Sequence, residues 1–280
     1  MGFLISLVAV AVLIFALLIA GAARWRRQTG SVRERLRARD PRPASEISPA
    51  ALEALPPPVR RYFDLTIPAG ASAVRWARFE QTGEFLVKPE TGAWGPFSAS
   101  HEIAPGAPGF LWDARIRMAP GVVARVRDSF AGGEGSMRAS LFGLLRVVDL
   151  RDTPELAQGA LLRYLAEAVW APTALLPAAG VRWQPIDETS ARATLSAGAT
   201  TVSLDFRFGA DGLVASVFAA ARPRESGGRF VPTPWLGRWI RWEERSGFRI
   251  PVEGEVAWLL VEGEQVYWRG RIGGADFELG

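Results

Sequence analysis

From residue 74 onward, apolar side chains recur at every second position, with one exception, and that exception constrains the fold most. Residues 152–177, DTPELAQGALLRYLAEAVWAPTALLP, space their apolar side chains by three and four instead. Leu156, Ala160, Leu161, Tyr164, Leu165 and Ala168 then share one wide helical face. Asp152 or Thr153 supplies the cap, and Pro154 suits the first helical position because its missing N–H costs nothing there. Glu155 meets the positive end of the helix dipole. Arg163 and Glu167, four apart, are expected to pair outside the apolar face. Pro172 ends the helix, because the residue before a proline is pushed out of the αR region, and residues 171–177 read as an apolar shoulder. Such a helix is either a core element packed on a sheet or, with Trp170, a lid or plug over an apolar hollow.

Around it the period is two. Strands are expected over 74–87 (with a kink at Gly83-Glu84), 97–103, 110–118, 122–130, 136–142 and 144–150 before the helix. After it they are expected over 181–187, 191–195, 202–208, 213–220, 239–245, 256–261 and 265–272. Asp211-Gly212 is a hairpin signal, and the polar, Gly/Pro-rich stretch 222–234 reads as a long loop. Trp235, Trp239 and Trp242 also fit helical spacing, so an interfacial helix competes with a strand there. About a dozen strands are more than a flat sheet holds without curling. The predicted fold class is therefore mainly β: a curved antiparallel meander or half-barrel packed on one amphipathic helix.

The run from Phe3 to Ala23 is apolar but for Ser6 and its glycine, at about the 20 residues needed to cross a bilayer. Ala20-Gly21-Ala22 resembles a signal-peptide cleavage site, but no basic region precedes the run and it is longer than a signal core. An uncleaved single-pass anchor is the preferred reading. Arg24, Arg26 and Arg27 follow at once, then Arg33, Arg35, Arg37 and Arg39, which predicts the N-terminus outside and the domain on the cytoplasmic face, with the periplasmic or extracellular side as runner-up. Arg24, Arg26 and Arg27 are candidate ligands for anionic headgroups, and Trp25 is a candidate interfacial aromatic. The expected organisation is an anchor over 1–24, an arginine- and proline-rich linker over 25–54, and a β-rich domain over 55–280. Within the linker, the edge of the folded region is placed near residue 45, and a short helix capped at Ser48 precedes Pro56-Pro57-Pro58.

Composition excludes several chemistries. The chain has no cysteine and a single histidine, His101, so disulfides, thiolate sites and multi-histidine metal sites are out of reach. It holds no GxSxG, GxxxxGK[ST] or HExxH motif, and Gly132-Gly133-Glu134-Gly135 sits between strands as a hairpin turn. The basic excess, nearly all arginine, is too small to indicate nucleic acid. No cofactor and no metal are expected. Tryptophan is the informative residue: ten of the eleven lie beyond the membrane segment and its flank, enough to suggest a lined cavity as well as a core.

Three segments carry a resemblance: LRYLAEAVWAPTALLP at 162–177, VRWQPID at 181–187 and GFRIPVEGEVAW at 247–258. Over most of residues 55–279 the chain resembles a bacterial family of membrane-anchored proteins without an assigned activity, so the resemblance implies no catalytic residue. More distantly, a curved meander with a helix on its concave side resembles the half-barrel of lipoprotein carriers and lipid-binding lipoproteins. The expected function is a membrane-tethered, non-enzymatic binder of a lipid or other apolar molecule, lined by Tyr164, Trp170, Trp183 and Trp268. A scaffold domain with exposed aromatics is the alternative, and an enzyme with a site assembled across strands is the third reading.

Overall fold

The computed structural model describes residues 1–39 and 49–280; the expected domain edge near residue 45 and the Ser48 cap lie outside the described residues. Three helices come first: α1 (Gly2–Ala38), α2 (Pro49–Glu53) and α3 (Pro57–Thr66). Six strands follow: β1 (Val74–Lys88), β2 (Ala93–Ala104), β3 (Gly109–Ala119), β4 (Val122–Ala131), β5 (Glu134–Leu141) and β6 (Leu145–Arg151). Then come α4 (Pro154–Glu167), three short 3-10 turns through Ala179, and β7 (Arg182–Asp187), β8 (Ser190–Ala197) and β9 (Thr200–Phe208). The last four strands are β10 (Val214–Ser226), β11 (Arg229–Arg245), β12 (Phe248–Leu260) and β13 (Gly263–Leu279).

All thirteen strands form one antiparallel sheet in the order β6-β5-β4-β3-β2-β1-β13-β12-β11-β10-β9-β8-β7. Every neighbouring pair is consecutive in the chain except β1 with β13. The chain therefore starts at the middle of the sheet, meanders out to one edge, crosses along α4 to the other edge, and meanders back. Strand twist prevents so wide a sheet from staying flat. Its two arms curl until the β4–β5 and β8–β9 turns meet, where a Cβ on Gly133 would stand 3.2 Å from the Gly198 Cα. Both glycines have positive φ, so the contact needs residues without side chains. Edges β6 and β7 do not pair with each other, and the half-barrel stays open.

The concave side holds α4 among Phe79, Phe110, Phe130, Phe206 and Phe248, all fully buried. Thr153 caps the helix by accepting from the Leu156 N–H at 3.2 Å, and Pro154 takes the first position as expected. Burial surrounds α4 on almost every side, so the Arg163–Glu167 pair forms at 2.9 Å but within the half-barrel instead of outside the apolar face.

The convex side is covered too. One helix of the described residues, α1, is long and apolar enough to cross a membrane, and its first half is exposed. The second half lies on the sheet: Val32 and Leu36 are buried against Trp76, Ala104 and Leu111. Arg33 grips the buried Glu102 carboxylate with contacts of 2.6–2.9 Å, and Arg37 reaches Glu278 at 2.7 Å. Trp25, read as an interfacial anchor, instead donates to Asp113 Oδ1 at 2.7 Å beneath the Arg127 guanidinium. Residues 25–38, expected as the start of a linker, are helical and packed. Cover on both faces explains why consecutive residues Trp76 and Ala77 are both buried. A bulge between Val74 and Trp76 sends Val74 to the inner core and Trp76 under α1, whereas strict alternation put them on one face.

The stretch 222–234 is not a loop. Strands β10 and β11 continue through it to a tight turn at Gly227-Gly228, with Pro223 opposite Pro232. Beyond Phe218 and before Trp235 the outer neighbours β9 and β12 no longer pair with this ribbon, so the missing proline N–H groups interrupt no ladder to them. Trp235 and Trp239 belong to β11, not to an interfacial helix.

Candidate functional site

Between α4 and the inner face of the sheet lies a cavity of about 270 Å³. Strands β3 to β5 contribute Trp112, Ile116, Val126 and Met137, and α4 contributes Leu156, Gly159 and Ala160. The β10–β11 ribbon closes one side with Pro223 and Phe230, and β11 to β13 add Trp235, Trp239, Trp258 and Trp268. The exposed members of the wall are Glu155, at the start of α4, and Glu225, near the ribbon tip; they mark the mouth. A predominantly apolar wall with a few placed polar groups is the usual make-up of a small-molecule site.

The polar groups form two sets. In the first, Arg163 from α4 bridges Asp128 of β4 at 2.7 Å and Glu167 at 2.9 Å, and its guanidinium sits over the rings of Phe110 and Trp112. Burial pushes the Glu167 carboxyl upward, partly offset by Arg163, while the two carboxylates more than offset the burial of Arg163 and raise it. Glu167 Oε2 lies 3.3 Å from Nε2 of His101, which is fully buried against Phe79, Phe110 and Trp170. Burial, with the Arg163 cation second, holds His101 well below the usual imidazole range, so it is neutral. The second set is Arg222, which donates to the Gly159 carbonyl at 3.3 Å and to the Tyr267 hydroxyl at 3.0 Å. Its guanidinium stands 4.8 Å from the Trp235 ring and 5.4 Å from the Trp258 ring.

Of the four expected lining residues, Trp170 and Trp268 are in the cavity wall. Tyr164 is buried in the core, away from that wall, and its hydroxyl has no partner among the described residues. Trp183 packs edge-on against Phe206 and donates to the Leu175 carbonyl at 2.9 Å, outside the wall. Sequence reasoning missed Arg222 because it fell in the stretch read as a loop. It missed Trp112 and Met137 because nothing local distinguishes an inward strand residue over a void from one over packed core. Past the exposed apolar half of α1, Arg24 donates to the carbonyls of Gly143 and Leu144 at 3.0 and 3.2 Å, and Arg26 and Arg27 are exposed. Among the described residues no group of acidic or histidine side chains could hold a metal ion.

These features define a class: an open antiparallel half-barrel, closed by a helix over an apolar cavity, with an apolar helix at its N-terminus. The chain belongs to a family of unknown function, DUF6920, whose model matches residues 53–277. No curated protein matches it. Among solved structures it is similar to a domain classed with outer membrane lipoprotein-sorting proteins from Vibrio parahaemolyticus, at 9% identity and a TM-score of 0.41, covering 82% of this chain and 94% of that one. A LolA superfamily protein from Nitrosomonas europaea matches at 10% identity and 0.39, over 79% and 92% of the two chains. A DUF1329 family protein from Desulfovibrio piger matches at 12% and 0.41, over 82% and 93%. Likenesses at this level carry no ligand or activity across to this chain.

Proposed function

We propose that this protein is a membrane-tethered, non-enzymatic binder that holds a lipid or another apolar molecule between the curved sheet and α4. The observation that carries the reading is the cavity itself. Interiors normally pack to crystal-like density, and a void of this size forfeits contacts on every side. Away from the mouth and the Arg163 and Arg222 sets the wall is apolar and gives water few partners, which favours an apolar guest along that part.

The tether reading rests on α1. Its exposed apolar half runs without interruption into the half packed on the sheet, and Gly21 is pressed against Leu144 and the Phe142 carbonyl. Cleavage near residue 21 would separate the anchor from a helix that supplies part of the domain's packing, which supports an uncleaved anchor. Arg26 and Arg27, facing away from the sheet, are the residues left for lipid headgroups, and the arginine-rich flank supports a cytoplasmic domain. The scaffold alternative needs exposed aromatics, and every tryptophan beyond Trp25 is buried or half-buried.

Native mass spectrometry of the full chain, extracted in mild detergent, tests the reading. It is expected to show an added ligand mass that survives detergent removal. Ala160→Trp, which fills the cavity from α4, is expected to abolish it. An unliganded protein, or a mass unaffected by Ala160→Trp, contradicts the reading.

A further inference from the structure

The polar atoms of the cavity wall are not balanced between donors and acceptors. Tyr267 Oη accepts from Trp235 Nε1 at 2.9 Å and from Arg222 Nη1 at 3.0 Å. A phenol has one proton, and neither of these bonds uses it. Among the described residues Arg222 is held by a carbonyl, a hydroxyl and two aromatic rings, and Glu167, whose charge it feels, makes no hydrogen bond to it. Further along the wall, Trp239 Nε1 is buried with no partner among the described residues.

The acids of the wall are occupied by comparison. Asp128 and Glu167 both hold Arg163. Glu225 accepts the Gly228 N–H at 2.8 Å within its own turn, and Glu155 is exposed at the positive end of the α4 dipole. Among the described residues the buried wall-acid oxygen without a hydrogen bond, Glu167 Oε2, lies beside His101. The Arg222 guanidinium and the Tyr267 proton thus stand together without a hydrogen-bonded carboxylate, on a wall whose other charged groups are Arg163, Arg224 and the four acids. Rings on both Trp235 and Trp258 fix that cation, so it is pre-organised, not free to fold back into solvent.

We infer that the cavity takes a single-chain amphiphile with an anionic oxygen head, carboxylate or phosphate, whose head is seated by Arg222 and the Tyr267 hydroxyl while its chain runs along Trp112, Met137 and Ala160. The inference deepens the proposed function and rests on it. Size suits a single chain: about 270 Å³ falls just below the usual range of ligand pockets and accommodates one alkyl chain. Guanidinium recognises such heads by charge-assisted hydrogen bonds, which exceed neutral ones in strength.

Four probes of equal chain length separate head from tail: dodecanoate, dodecyl phosphate, dodecanol and dodecylamine. They are titrated against the full chain in phosphatidylcholine nanodiscs, with the wall tryptophans as the fluorescence reporter. Either anion is expected to bind about ten-fold or more tightly than dodecanol, with dodecylamine weakest; which anion leads identifies the head. Arg222→Gln is expected to erase the preference of either anion over dodecanol, and Tyr267→Phe to reduce it. The head series on the unmodified protein decides the matter even if Arg222→Gln does not fold. Equal affinity across all four heads, or preference for the amine, overturns the inference and leaves the apolar-ligand reading intact. Binding of none of them overturns both.

Discussion

His101 shows how one residue acquires a role from its surroundings. A lone histidine is weak grounds for catalysis, and in the fold His101 is sealed by aromatic rings with Glu167 and Arg163 as its charged neighbours. Its proton affinity in the folded state is depressed, so below the unfolded value near pH 6.5 the unfolded chain binds more protons than the folded one. Stability attributable to His101 is therefore full above that pH and declines as pH falls. Glu167 acts in the opposite sense: its folded pKa is raised, so its contribution is full below about pH 4.5 and is lost as pH rises through the folded value. Asp128, Arg163 and Arg222 complete the charges facing this pair. Replacing His101 by Phe, which suits an aromatic box, removes only the first effect. The variant is expected to gain on the wild type as pH drops from 7 to 5, at up to about 1.4 kcal/mol per pH unit, read from thermal unfolding in detergent. A difference independent of pH contradicts the assignment. None of this was legible beforehand, because it depends on β2, β3 and α4 converging.

At the scale of elements, α4 was the most legible part of the molecule. Its cap and its first proline are local signals that act where local chemistry puts them, whereas the stop read at Pro172 comes too late: the α-helix ends at Glu167 and tightens into a 3-10 turn over Ala168–Trp170. The ribbon of β10 and β11 was the least legible, because Pro and Gly mark a loop only when the strand has neighbours to pair with, and here it projects past them. The docking of α1 was invisible for a similar reason: arginines beside an apolar run satisfy topology rules equally well whether they face solvent or, like Arg33, a buried carboxylate. What holds α4 in place is a close approach to β5, where a Cβ on Gly135 would meet the Leu156 carbonyl oxygen at 2.6 Å. Gly135→Ala is expected to push the first turn of α4 outward and to cost about 1–3 kcal/mol of stability. Thr153→Ala, which removes only the cap, is expected to cost about 1 kcal/mol. The two together should lose less than the sum of their separate effects, since both loosen the same turn. Urea unfolding of the four proteins checks this, and full additivity speaks against a shared turn.

For the molecule as a whole, the strand count, the curl and the central helix follow from period and length, whereas the void does not. A sequence records which side chains point inward but not whether their volumes fill the space between sheet and helix. The central claim is that this space holds an alkyl chain. Crystals of the full chain grown with 12-bromododecanoate test it most directly, because bromine is located by its anomalous signal independently of the surrounding density. The account predicts a bromine peak between α4 and the sheet, among Trp112, Met137 and Ala160. A peak confined to the exposed half of α1, or none in the cavity at saturating ligand, contradicts it.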